Sequence, residues 1–223
     1  MKKLFLFFLI TLLLLSSVAA QSNLDLQLEV RLANLERMAR PIEITMYAMT
    51  SYIGEINGDA SNMQSLKSGF LDAKSALRAA KTHPELDAKI QAAGAIVGKF
   101  SEEYKSQFNA NKGNALVALK KIGDAWKLAK PEFDSLANTY WQVRKGNVLK
   151  IFDGDIEGAQ KLVEILKNHP NKDRLQAKLD EIKNKRNDLE SALISRNDIL
   201  ILKVQSEIGL LAQEFGNLVA GKG

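Results

Sequence analysis

The sequence contains no cysteine, and it has only four prolines and two histidines. The absence of cysteine excludes disulfide bonds, thiolate ligands for zinc or iron–sulfur clusters, a thiol nucleophile and the attachment residue of a lipoprotein. The scarcity of histidine leaves few ligands for a transition metal. Stability must therefore come from packed apolar side chains.

A glycine-rich phosphate-binding loop is also missing, as is a serine flanked by glycines at the spacing of a nucleophile elbow. We therefore expect a protein that is not an enzyme. The formal net charge is +5, and loss of Lys2 and Lys3 with a cleaved leader lowers it to +3. Lysines and acids interleave along nearly every segment, which favours solvated helix surfaces over nucleic-acid binding.

An apolar run from Leu4 to Leu15 follows two lysines and leads into small residues that end at Ala20. This order is typical of a secretory signal peptide with cleavage after Ala20. The run is too short for a permanent anchor, and no later apolar run approaches the length of a membrane span. We predict that residues 1–20 are removed and that the mature chain is secreted or periplasmic, with no membrane span after cleavage.

Apolar residues recur at helical spacing through most of the mature chain. The first stripe runs from Leu28 to Ile56 in steps of three and four and keeps its register through Pro41. It predicts one long helix with a kink at the proline. The turn residues Asn57–Asp59 then precede a second helix, and His83-Pro84 opens a third.

Further breaks are predicted at Asn109–Asn114, before Pro131, at Asp153–Asp155 and at His169-Pro170. They separate a fourth helix, a fifth that starts at Pro131 and a short sixth. The last apolar stripe runs from Leu175 to Leu218, and the segment of roughly fifty residues that carries it is about 75 Å long if it forms one helix at 1.5 Å per residue.

The predicted fold class is all-α, with long antiparallel helices in an elongated helical bundle or coiled-coil-like array. Lys81-Thr82-His83-Pro84 and Lys167-Asn168-His169-Pro170 lie 86 residues apart, which raises the hypothesis of two duplicated three-helix units. Chance similarity is the alternative. We divide the chain into a signal peptide (1–20), a first helical unit (21–110) and a second helical unit (111–223), and the two units can pack as one domain.

The sharpest candidate for chemistry is an acidic stretch that starts at Asp153. Asp153, Asp155, Glu157 and Glu164 match the first, third, fifth and twelfth positions of a helix–loop–helix calcium loop, with Gly158 at the sixth. The usual aliphatic residue is missing at the eighth position. We favour a simpler interpretation, a turn in which Asp155 caps the next helix. No catalytic, cofactor-binding or metal-binding residue is assigned.

The histidines and the large aromatic residues are weaker candidates. His83 and His169 each precede a proline, so we interpret them as turn residues and not as a metal-binding pair. Trp126, Tyr140 and Trp141 have the residue types of a ligand groove, but their helical spacing favours core packing.

Together these features favour an exported helical binding or scaffold protein that acts through protein–protein contacts. Its partner is either another protein or a second copy of the chain, and nucleic acid is not expected. Two alternatives stay open: a periplasmic holdase-type chaperone for unfolded clients, and a calcium-dependent binding protein that uses the stretch at Asp153.

Overall fold

A computed structural model describes the backbone of residues 2–221 and the side chains of residues 23–221. Over these residues the chain forms six α-helices and no strand, which confirms the predicted all-α class. The helices are α1 (Lys2–Glu55), α2 (Ser61–Leu77), α3 (His83–Ala110), α4 (Ala115–Ile165), α5 (Lys172–Ile194) and α6 (Asp198–Val219). The predicted signal peptide lies outside the side chains that are described, so it stays a prediction.

The helices belong to two compact units. The central unit is Leu28–Tyr140, and the terminal unit combines Met1–Gln27 with Trp141–Gly223. The predicted boundary between residues 110 and 111 falls inside the central unit, at the turn between α3 and α4. The duplication of a three-helix unit stays a prediction. Within the described residues, no helix has the length and apolar character needed to cross a membrane.

The core of the central unit is built by α1, α2 and α3. One cluster of buried side chains consists of Ala39, Met46, Ile53, Met63, Phe70, Ala93 and Phe100. A second cluster joins Leu28, Leu77, Ala80 and Leu86. Because most of these residues recur every seven positions along each helix, the apolar stripes in the sequence account for the packing.

The turns of the central unit lie where the sequence predicts them. Helix α1 contains Pro41, as expected, and ends before Asn57, whose φ of 55° is left-handed. Helix α3 begins at His83, where the side chain of Thr82 accepts a hydrogen bond from the backbone N–H of Glu85 at 3.3 Å. The predicted loop at Asn109–Asn114 is the turn between α3 and α4.

The predicted helix boundary at Pro131 is wrong, because α4 continues through the proline. Proline removes one backbone donor and crowds the preceding turn, yet contacts on both sides hold the helix together. The rings of Trp126 and Phe133 bracket Pro131, with centroids 6.1 Å apart in an edge-to-face arrangement. Next to the proline, Glu132 forms an ion pair with Arg40 of α1 at 2.8 Å.

The predicted break at Asp153–Asp155 is also wrong, since the same helix continues to Ile165. The apolar stripe through this stretch keeps its helical spacing and packs in the core of the terminal unit; it consists of Leu149, Phe152, Ile156, Ala159 and Val163. Its burial outweighs the cost of the two glycines, about 1 kcal/mol each. The predicted fourth, fifth and short sixth helices are therefore one helix.

The last apolar stripe forms two helices instead of one. Helix α5 ends at Ile194, Arg196 adopts a left-handed φ of 55°, and α6 begins at Asp198. The side-chain oxygen of Asn197 accepts hydrogen bonds from the backbone N–H groups of Ile199 and Leu200, both at 3.1 Å. This cap satisfies donors that a helix start leaves unpaired, and it lets α6 fold back to pack against α5.

Candidate functional site

The acidic residues of the predicted calcium loop all lie on helix α4, so they do not form a loop. Asp153 accepts two hydrogen bonds from Arg186 of α5, at 2.7 and 3.0 Å. Asp155 accepts one from Asn23 at 3.3 Å, and Glu157 pairs with Lys161 one turn away at 2.6 Å. The expected turn with Asp155 as a helix cap is wrong for the same reason.

The electrostatics of this stretch are those of surface ion pairs. The hydrogen bonds from Arg186 hold the pKa of Asp153 below its ordinary value, and those from Lys161 do the same for Glu157. Both effects favour the charged carboxylate and explain it without a metal ion. Over the side chains that the structure describes, no cluster of three or more histidine or acidic residues is arranged to hold a metal.

The two histidines lie at helix ends, in different units. His83 is the first residue of α3, and its Nδ1 lies 2.8 Å from Nη1 of Arg31. Arg31 also forms an ion pair with Asp87 one turn later. His169 lies in the turn before α5, where its Nδ1 accepts a hydrogen bond from the backbone N–H of Asn171 at 3.2 Å. Each histidine therefore has a local structural role.

A cavity of about 430 Å³ lies between α5 and α6 in the terminal unit. Its lining is charged, and Lys178 is held between Glu181 and Glu214 at 2.7 and 2.8 Å. The hydrogen bonds to Glu181 and Glu214 raise the pKa of Lys178 and keep it protonated. Three of the four charged residues that line the cavity therefore pair with each other, and Arg174 is the fourth.

The central unit contains an apolar groove between α3 and α4, which we call the α3–α4 groove. It consists of two cavities. The first, about 290 Å³, is lined by Met49, Tyr104, Lys105, Phe108, Ala115, Ala118, Leu119 and Ile122. The second, about 300 Å³, is lined by Pro41, Ile42, Thr45, Met46, Met49, Val97, Phe100, Ser101 and Trp126. Helix α1 forms the floor, and Met49 lines both cavities.

The groove exists because the first half of α4 packs loosely. None of its described side chains from residues 115–139 belongs to the two core clusters of the central unit. Among residues 115–139 the buried side chain is that of Ala118, which is small, while Leu119 is 64% exposed. An alanine at the contact leaves space that a larger side chain would fill.

Polar contacts with α1 hold this half of α4 in place instead. The indole N–H of Trp126 donates to Thr45 Oγ1 at 3.0 Å, and the backbone N–H of Asn114 donates to Tyr52 Oη at 2.6 Å. Ion pairs join Lys121 to Glu55 and Arg40 to Glu132. These contacts fix the position of α4 without closing the space between it and α3.

The groove is flanked by basic residues. Between residues 112 and 130 the sequence has five lysines and a single acid, Asp124. Lys127 is 82% exposed and lies 3.5 Å from Asp124, and Lys105 lines the opposite wall on α3. Inside the groove, burial raises the pKa of Tyr104, and nearby Tyr52 raises it further, so the phenol stays neutral. The groove is thus mainly apolar within, and lysines outnumber acids on the helix stretch beside it.

The site differs from the sequence-based prediction in two ways. The helical stripe of Leu119, Ile122 and Trp126 predicts core packing, whereas Leu119 and Trp126 are exposed in the groove. Lysines and acids interleave along nearly every segment, whereas the stretch from Lys112 to Lys130 is strongly basic. That local surplus beside large apolar residues is the signal that points to the groove. By contrast, Tyr140 is buried, as expected.

Comparison with models of known protein families gives no match, and comparisons with curated proteins and with solved structures give none. The function has to be inferred from the residues of the chain.

Proposed function

We propose that the chain is an exported helical binding or scaffold protein that acts through protein–protein contacts, with the α3–α4 groove as its binding site. The observation that carries the proposal is a groove whose walls and floor are apolar and open to solvent. Large apolar residues that line it are exposed, among them Leu119 at 64% and Trp126 at 45%. Clustered exposed apolar surface of this kind is typical of interaction sites.

The shape of the groove favours a helix as its occupant. Two antiparallel helices with a third beneath them form a channel into which an amphipathic helix lays its apolar face. Met46 and Met49 in the floor are unbranched and adapt to different side chains. Trp126 at the edge supplies a large amphipathic contact of the type found at binding hot spots.

A binding role without catalysis also agrees with the titratable groups. The perturbed pKa values of Asp153, Lys178, Lys185 and Glu207 come from ion pairs on helix surfaces. Catalytic groups are more often perturbed by burial inside a cleft. Tyr104 has a pKa raised by burial, but the cavity that it lines is mainly apolar.

Export is proposed from the leader alone, that is, the lysines, the apolar run and the small residues before Gln21. Mass spectrometry of the protein recovered from cells tests it. We expect a chain that begins at Gln21 in the secreted or periplasmic fraction. A cytoplasmic product that retains residues 1–20 would contradict it.

The binding site is tested with a photo-crosslinking amino acid in intact cells. Position 119, in the groove, should give a discrete adduct with a partner protein. Position 128 is the matched control, because Leu128 is an 85% exposed leucine on the same helix that does not line the groove. A Met49→Asp substitution should abolish the adduct at position 119. Equal adducts at both positions, or an adduct that survives the substitution, would argue against the groove as the site.

A holdase-type chaperone is the second candidate. It is favoured by large apolar side chains that are exposed outside the groove as well, including Leu128 at 85% and Ile199 at 81%. Several separate apolar patches suit the capture of unfolded clients better than the capture of one partner. Suppression of the aggregation of a chemically reduced model client, at equimolar protein, would favour the chaperone. A scaffold should leave the aggregation unchanged.

A further inference from the structure

The two cavities of the α3–α4 groove are about two helical turns apart. On α3, one is lined by Val97, Phe100 and Ser101, and the other by Tyr104 and Phe108. The offset of about seven residues corresponds to roughly 10 Å along a helix at 1.5 Å per residue. A helix lying in the groove would therefore reach both cavities with side chains at positions i and i+7.

The size of each cavity indicates what would fill it. The volumes of about 290 and 300 Å³ are about twice the roughly 150 Å³ of an apolar cavity that accommodates a benzene ring. Each cavity is thus large enough for a leucine, phenylalanine or tryptophan side chain with room to adjust. Small side chains at i and i+7 would leave both cavities partly empty and would make few van der Waals contacts with the cavity walls.

The edge of α3 allows a second backbone to approach closely. Gly94, Gly98 and Ser101 follow one another at helical spacing along this edge, and Ser101 lines the groove. A Cβ atom added at Gly94 or Gly98 would meet nothing within 4 Å. The space beside these glycines is open, and small residues at a helix contact shorten the distance between helix axes.

The charge at the edge selects among amphipathic helices. Lys105 lines the groove on α3, and Lys120 and Lys127 lie on the exposed side of α4. Lys127 also lies 3.5 Å from Asp124, and Glu102 is the exposed acid on the facing stretch of α3. The surplus of lysine repels a basic helix and attracts an acidic one. A concave groove also suits a helix better than the flat surface of a membrane, to which exposed lysines and leucines would otherwise be attracted.

We propose that the α3–α4 groove binds an amphipathic helix of an acidic protein partner, which places large apolar side chains at i and i+7 in the two cavities and its carboxylates beside Lys120 and Lys127. The inference rests on the proposed function and names the class of partner for the same site. It specifies both the spacing and the charge of the bound helix.

The test uses the tryptophan in the groove as a probe. A Trp141→Phe substitution in the full chain, purified after its natural processing, leaves Trp126 as the sole tryptophan. Three designed helical peptides are titrated: an acidic peptide with leucines at i and i+7, a basic peptide with the same apolar residues, and an acidic peptide with its leucines at i and i+5. We expect the first to shift the emission of Trp126 and to bind at least tenfold more tightly than the other two.

Charge reversal provides the matched variant. Lys120→Glu with Lys127→Glu, both on the exposed side of α4, should invert the preference between acidic and basic peptides. Affinity for the acidic peptide should also fall as salt is raised. Equal affinity for the acidic and basic peptides would overturn the inference but leave the groove as a binding site for helices.

Three other results of the peptide titrations would contradict the inference. If no peptide binds and the adduct at position 119 is also absent in cells, the proposed function fails together with this inference. If vesicles of anionic lipid shift the emission of Trp126 while the acidic peptide does not, the surface recognises a membrane and the inference is wrong. If peptides with i and i+5 spacing bind as tightly as those with i and i+7 spacing, the two cavities do not set the register.

Discussion

Two leucine-to-alanine substitutions in the central unit should have different effects on stability, because one leucine lies in the core and the other lies in the groove. Leu86 is 0% exposed and packs with Leu28, Leu77 and Ala80. Leu119 lies in the groove and is 64% exposed. Both substitutions remove the same atoms, so any difference in the free energy of unfolding reports how each side chain is packed.

The expected magnitudes differ several-fold. Truncation of a fully buried leucine costs about 3 to 5 kcal/mol, because the lost transfer energy adds to the cost of a cavity. For Leu86→Ala we therefore expect a loss of about 3 kcal/mol, which lowers the urea midpoint by about 2 M if m is about 1.5 kcal/mol/M. Leu119 is about one-third buried, and its truncation should cost less than about 1 kcal/mol.

Urea unfolding followed by Trp126 fluorescence in the Trp141→Phe background measures both effects in the central unit alone, since Trp141 belongs to the terminal unit. An unchanged m-value should accompany both shifts. If Leu119→Ala lowers the midpoint as much as Leu86→Ala does, α4 is part of the core and the groove is not an available surface. Such a result would refute the reasoning on which the binding site rests.

Three further substitutions test other features. Asp153→Asn should lower stability slightly at pH 7 and leave it unchanged near pH 2. The ion pair with Arg186 depresses the folded-state pKa of Asp153, so the contribution of the ion pair to stability is complete above the ordinary pKa of about 3.9 and is lost as the pH falls through the folded-state pKa. Urea midpoints at several pH values measure this contribution, and an equal loss of stability at pH 7 and pH 2 would contradict the prediction. Asn197→Ala should cost about 1 kcal/mol through the lost cap of α6, and calorimetry should show that Asn197→Asp recovers most of it. Pro131→Ala should raise the free energy of unfolding by about 1 to 3 kcal/mol, because the substitution restores a backbone donor inside α4. A lower free energy of unfolding, measured in urea, would indicate that the helix ends at the proline.

Sequence periodicity predicted the helices well where an apolar stripe and a turn signal agree. The turn after α1 is an example, because Asn57 accommodates a left-handed φ and lies at the end of the stripe that includes Ile53. Local signals failed where tertiary contacts compete with them. Pro131 and Gly154 both disfavour a helix, yet α4 passes through both of them. At Gly154 the apolar stripe packs in the core of the terminal unit, whereas at Pro131 the contact of Trp126 with Phe133 and the ion pair of Glu132 with Arg40 hold the helix.

The groove was harder to predict for a different physical reason. A stripe that includes Leu119, Ile122 and Trp126 has the same spacing whether its side chains are buried in the core of the chain or exposed at a binding surface. Periodicity gives the face of a helix, not the distance to its neighbour. That distance depends on the side chain at the contact, here Ala118, and on the polar contacts that hold α4 to α1.

The alanines of α4 connect stability to the proposed binding. Ala115 and Ala118 line a cavity of about 290 Å³, and a larger apolar residue at Ala118 would fill part of that space from within. Filling a cavity commonly adds 0.5 to 2 kcal/mol of stability, so selection for stability alone would favour it. Under the proposed function, the small residues keep the space for a side chain supplied by a partner. The same two positions that weaken the packing of α4 therefore create the surface that a partner helix would bury.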